Sequence, residues 1–134
     1  MKIVVGFIDT PEGHAAMEKA IEEANLRDGS LVVVNSMHGG SREGGDEYIA
    51  TAEAFEALTK RLNDLGMGYE THEFVRGNTP AEDIIEAVRA TEASLIVIGI
   101  RERSAAGKFL LGSNALDILH DTPVPVLCVK ASNR

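Results

Sequence analysis

Apolar residues recur along this chain in two alternating patterns, short unbroken runs and stripes at helical spacing. Residues 3–8 form an unbroken run, as expected of a strand covered on both faces. Thr10, Pro11 and Glu12 then read as N-cap, first helical residue and acidic first turn. Met17, Ala20, Ile21 and Ala24 follow as one apolar stripe. After a break at 27–30, residues 31–35 make a second buried-type strand, and the glycine-rich, polar stretch 38–45 reads as a loop. Phe55, Leu58, Leu62 and Leu65 mark the buried stripe of a helix over 46–64, with Gly66 as its left-handed end. Residues 69–75 alternate more and suit an edge strand with a wetter face. Thr79, Pro80 and Glu82 spell a capping box with proline at the first helical position, and Ala81, Ile84, Ile85 and Val88 give that helix its stripe. A fourth strand over 95–98, a fourth helix over 112–120 and a fifth strand over 124–129 complete the pattern.

Strands and helices alternating over short connections imply right-handed crossovers and an α/β fold. The expectation is a five-stranded parallel sheet in the doubly wound order 3-2-1-4-5, helices on both faces, as one domain over residues 1–134. In such a sheet, ligands bind beyond the carboxyl ends of the strands at the switch point, here between the first and fourth strands. The first strand ends at Ile8 and Asp9, and the fourth runs up to Gly99. A basic stretch with Arg101, Arg103 and Lys108 then leads to Gly112, Ser113 and Asn114 at a helix start. A helix N-terminus offers unpaired N–H donors and a partial positive charge, and a glycine there lets an anion approach. Taken alone, the stretch reads more simply as a connection needing Gly for its turn and Ser for its cap. Its convergence with the first strand favours an anionic ligand, a nucleotide foremost.

Composition removes other classes. The chain has 134 residues, with 21 acidic against 13 basic and a net charge of −8, which argues against nonspecific nucleic-acid or anionic-membrane binding. Two tyrosines, four phenylalanines and no tryptophan leave little for stacking bases. No apolar run is long enough to span a membrane, and the N-terminus enters a strand pattern without a signal peptide, so a cytoplasmic protein is expected. The one cysteine, Cys128, excludes an internal disulfide and reads as a small buried hydrophobe.

With these elements in place, the chain resembles the universal stress protein family. That family's fingerprint, Gly-x2-Gly-x9-Gly-Ser/Thr, stands here as Gly99-x2-Glu102-x9-Gly112-Ser113, followed by Pro123-Val-Pro-Val-Leu-Cys-Val129. Val4-Val5-Gly6, Thr10-Pro11 and Gly77-Asn-Thr-Pro80 match further landmarks. The resemblance implies ATP binding in some members and none in others, with Mg2+ only where ATP is bound. Carried over by position, the binding residues would be Ile8, Asp9, Val34, Gly99, Arg101, Glu102, Gly112, Ser113 and Asn114. The resemblance also implies a homodimer paired through the fifth strand, and a role in stress response or regulation without strong catalysis, at most a weak ATPase.

Two positions depart from the pattern. Glu102 replaces the middle glycine, adding bulk and negative charge. Where the family carries an aspartate at the end of the first strand this chain has Ile8, with Asp9 one residue late, and a one-residue slip turns a side chain to the opposite face. The alternative is therefore a ligand-free dimeric interaction module with a degenerate site. His14 reads as a solvated helix residue, and Asp117 with His120 as a surface pair three residues apart. His38 with Asp46 and Glu47 shows no metal-ligand spacing, and no acid–base or nucleophile set names a reaction.

Overall fold

The computed structural model describes residues 1–35, 46–73, 77–100 and 112–131, with backbone alone over 46–51. Nine elements follow one another: β1 (Lys2–Phe7), α1 (Pro11–Arg27), β2 (Ser30–Asn35), α2 (Asp46–Leu65), β3 (Tyr69–Glu73), α3 (Pro80–Thr91), β4 (Leu95–Ile100), α4 (Ser113–Asp121) and β5 (Val126–Lys130). The strands form one sheet in the order β3-β2-β1-β4-β5, every pair parallel. This is the doubly wound order expected from the sequence, and β1 and β4 are neighbours at its switch point.

Alternation along β1 divides the core. Ile3, Val5 and Phe7 pack with the α1 stripe Ala16, Met17, Ala20, Ile21 and Ala24 and with Leu58 and Leu62 of α2. Val4 faces the other way, with Ile84, Ile85 and Val88 of α3 and Ile118 of α4. So α1 and α2 cover one face of the sheet and α3 and α4 the other. Strands buried on both faces must read as unbroken apolar runs, which is why β1, β2 and β4 are legible in the sequence.

The ends of elements bring corrections. Leu65 is 53% exposed and does not belong to the buried stripe of α2. Beyond it Gly66 takes φ 70°, the Gly66 N–H donates to the Asn63 carbonyl at 3.1 Å, and the Met67 N–H donates to Leu62 at 3.0 Å. This reversal carries Met67 back onto the core in the place Leu65 was expected to fill. The fifth strand begins at Val126, two residues later than expected: prolines 123 and 125 have no N–H to give, although the Pro125 carbonyl accepts from the Ile96 N–H at 3.0 Å. β4 runs on to Ile100, and β3 is described to Glu73, residues 74 and 75 lying outside the described residues.

Candidate functional site

Three local rules bring α1 against the strand ends. The Thr10 hydroxyl caps α1 by accepting from the Gly13 N–H at 3.0 Å. A Cβ on Gly13 would stand 2.0 Å from the Ile8 carbonyl oxygen, and one on Gly99 2.1 Å from that of Glu12. Both glycines are therefore required by close backbone approach. On the opposite face α3 presses on β1, where a Cβ on Gly6 would meet Ile84 Cδ1 at 2.9 Å. The Thr79–Glu82 capping box fixes the start of α3: the Glu82 N–H donates to Thr79 Oγ1 at 3.1 Å and the Thr79 N–H to Glu82 Oε1 at 2.7 Å.

These constraints leave a cleft of about 200 Å³ between α3 and α4, over the carboxyl ends of β1 and β4. Gly6 and Ile8 of the first strand region and Ile98 and Gly99 of β4 form its floor. Pro80 and Ile84 wall one side, and Asn114, Ala115 and Ile118 of α4 wall the other. α4 enters the cleft wall at its first turn. Its N-cap, Gly112, is extended at φ −71° and ψ 166°, and no side chain caps it by a hydrogen bond. The described cleft is thus aliphatic at its base and reaches a helix start at one end, the arrangement that receives an apolar ring with an attached anion.

The residues singled out from the sequence fall into three groups, with Asp9 apart from them. Ile8, Gly99 and Asn114 meet in the cleft, and Gly112 and the exposed Ser113 stand at the adjoining helix start. Val34 is fully buried in β2 among the α3-side core. Arg101, Glu102, Arg103 and Lys108 lie outside the described residues, as does His38.

Asp9 is absent from the cleft lining and is engaged elsewhere. Its Oδ1 pairs with His14 Nε2 at 2.8 Å, and the His14 ring stands edge-on to Phe7, centroids 5.3 Å apart. The sequence reading treated His14 as merely solvated and missed this pair. A histidine in the first turn of a helix, just after a strand-end aspartate, was the available signal.

Other expectations change in detail. His120 pairs through Nδ1 with Asp121 at 2.9 Å, not with Asp117, and that hydrogen bond holds the imidazole above its ordinary pKa. Asp117 instead lines a second, polar groove between α3 and α4 with Glu82, Glu86 and Asp121. Cys128 is part-buried, and burial pushes its thiol up. Among the described residues no three His, Cys, Asp or Glu side chains come together as a metal would need, and no helix is long and apolar enough to cross a membrane.

Known proteins share this arrangement. The chain is 40% identical over 132 residues to a universal stress protein of Mycolicibacterium smegmatis, covering 96% of each. The universal stress protein of Archaeoglobus fulgidus has a structure that superposes with TM-score 0.80 at 35% identity, covering 97% of this chain and 98% of that one. A structure of the Archaeoglobus fulgidus universal stress protein in complex with dAMP superposes with TM-score 0.70 at 31% identity, over 97% of this chain and 98% of the other. The sequence pattern of the Usp family matches residues 1–130. With the sheet order, the switch-point cleft and these relatives in agreement, the chain belongs to the universal stress protein family.

Proposed function

We propose that this chain binds an adenine nucleotide, ATP or a relative of it, in the cleft between the ends of β1 and β4. In this reading it acts in the cytoplasm as a stress-response or regulatory protein without strong catalysis. The observation that carries the reading is the joining of an aliphatic cleft to the uncapped start of α4. Ile8, Ile84, Ile98 and Ile118 offer surface to a base, while the first-turn N–H groups and dipole of α4 suit phosphate. The dAMP complex of a relative 31% identical to this chain supports the same ligand class. Gly99, Gly112, Ser113 and Asn114 are the proposed contacts, with Arg101 and Glu102 added by fingerprint position; Val34, fully buried, is not among them. Mg2+ enters only with a bound triphosphate.

The protein is further proposed to be a homodimer through β5. This strand is one edge of the sheet, and Val126, Leu127, Cys128 and Val129 are all only part-buried. An apolar edge strand calls for a cover, and a second copy supplies one across a two-fold axis.

Nucleotide binding is tested by denaturing the purified protein and examining the released small molecules by absorbance and mass spectrometry, followed by calorimetric titration with ATP and AMP. Saturable binding of either nucleotide is expected. Absence of binding at millimolar nucleotide would overturn the reading and leave the ligand-free interaction module.

A further inference from the structure

We propose that α4 couples the nucleotide site to assembly: its Leu116–Leu119 flank seats the same helix of a second copy, so that nucleotide and partner strengthen each other's binding. This deepens the adenine-nucleotide and homodimer readings and rests on both.

Burial along α4 gives its flanks different neighbours. Ile118, its one fully buried residue, enters the α3-side core, and Ala115 packs against that core beside it. Asp117 and Asp121, one turn apart, face α3 and line the polar groove between the two helices. Leu116 and Leu119 stand together on the flank away from α3, 52% and 40% exposed. α3 in turn packs on β1 and β2, so it lies on the inner side of α4. The leucine flank therefore points outward, past the open edge of β5. Val126 and Cys128 of that strand pack on the same side of the sheet and are only part-buried as well.

The occupant follows from the sheet. The open N–H and C=O groups of an edge strand call for another strand. A two-fold axis perpendicular to the sheet pairs two β5 edges antiparallel and keeps each helix layer on its own side. Helix α4 of one copy then lies beside α4 of the other, and the two leucine flanks meet. The apolar pair that one copy leaves in water is covered by the identical pair of its partner.

Coupling arises because the same helix walls the cleft. Ala115 and Ile118 line it, each immediately before a leucine of the outer flank. Nine residues are too few to hold a helix unaided, and in α4 only Ile118 is fully buried. Its order rests on what it touches. Whichever of nucleotide and partner binds first fixes the helix, and the other then binds without that cost. Linkage makes the gain reciprocal, about fivefold or more in each dissociation constant.

The test is sedimentation of the full, fluorescently labelled chain from picomolar to micromolar concentration, with and without saturating ATP, beside calorimetric titration with ATP. ATP is expected to tighten the dimer about fivefold or more. A dimer that binds ATP calorimetrically but has the same dissociation constant with and without it would overturn the coupling and leave both underlying readings intact. A monomer at every concentration would overturn the homodimer reading, and failure to bind ATP the nucleotide reading, each taking this inference with it. Leu116→Ser combined with Leu119→Ser, both at exposed positions, is expected to keep the parent's circular dichroism, weaken the dimer about tenfold or more and lose the response to ATP. Leu65→Ser, at a leucine 53% exposed just before β3 at the opposite edge of the sheet, should leave dimer and response unchanged. A folded double-serine variant that dimerises as tightly as the parent would overturn the assignment of the leucine flank as the seat.

Discussion

The backbone carbonyl oxygen of Glu12 stands 2.1 Å from where a Cβ on Gly99 would be. The first glycine of the fingerprint is therefore held by packing between α1 and β4 before any ligand enters. A methyl group there must push the first turn of α1 off the sheet, because a backbone carbonyl cannot rotate aside. Gly99→Ala is expected to cost about 1–3 kcal/mol. Gly6→Ala should cost less, since its Cβ would meet only the flexible tip of Ile84 at 2.9 Å. Urea denaturation with unchanged slope measures both, and equal losses would refute the distinction.

The start of α3 rests on one hydroxyl. Thr79→Ala removes the acceptor for the Glu82 N–H and is expected to destabilise by about 1 kcal/mol, with Thr79→Ser retaining most of it. Pro80 and Ile84 line the cleft, so nucleotide affinity should fall in the alanine variant and recover in the serine variant. Thermal melts with and without ATP read both effects.

Ser113 is the first residue of α4 and is exposed. Ser113→Asp sets a negative charge at that helix start, which favours the helix by about 0.3–1 kcal/mol but repels a phosphate. ATP affinity is expected to drop about tenfold with stability unchanged or raised, as for like charges a few ångströms apart in partly solvated surroundings. Glu23→Gln, in the Glu23–Arg27 ion pair on α1 away from the cleft, should leave ATP affinity unchanged. Equal affinity in both variants would move the phosphate site away from α4.

Glu70 on β3 accepts from Lys2 Nζ at 2.8 Å and pairs with His72 Nε2 at 3.1 Å. The Lys2 hydrogen bond, then that of His72, holds its carboxyl below the usual range. A lowered folded-state pKa adds stability above the unfolded value, about 4.3, and loses it as pH falls through the folded value. Solvent reaches both Lys2 and Glu70, so the contribution is a fraction of a kcal/mol. Glu70→Gln should thus be slightly less stable than the parent at pH 7, the gap closing below pH of about 4. A gap that persists in acid would assign the effect to packing.

Assembly is tested by light scattering at micromolar concentration, where a dimeric mass is expected and a melting temperature that rises with protein concentration. Leu127→Asp or Val129→Asp should yield monomer or aggregate, because a charge near a two-fold axis meets its own copy. Both side chains also pack against the α1 core, so each variant should lose stability along with assembly. A monomeric mass for the parent would refute the β5 interface.

The order of elements was written in the chain because its information is local. Unbroken apolar runs at β1, β2 and β4 meet the need of strands buried on both faces, and Thr10, Thr79 and Gly66 announce helix ends by chemistry that spans a few residues. Handedness of the crossovers then leaves few sheet orders, and the switch point follows from the order alone. The cleft could not be read that far. That Gly99 serves α1 packing, that Met67 and not Leu65 reaches the core, and that Asp9 pairs with His14 while Ile8 lines the cleft all depend on contacts between elements. A strand slip of one residue is visible in the sequence as Ile8-Asp9. Which partner captures the displaced carboxylate is set only when α1 folds back onto β1, because the burial of Phe7 fixes where the His14 ring lies.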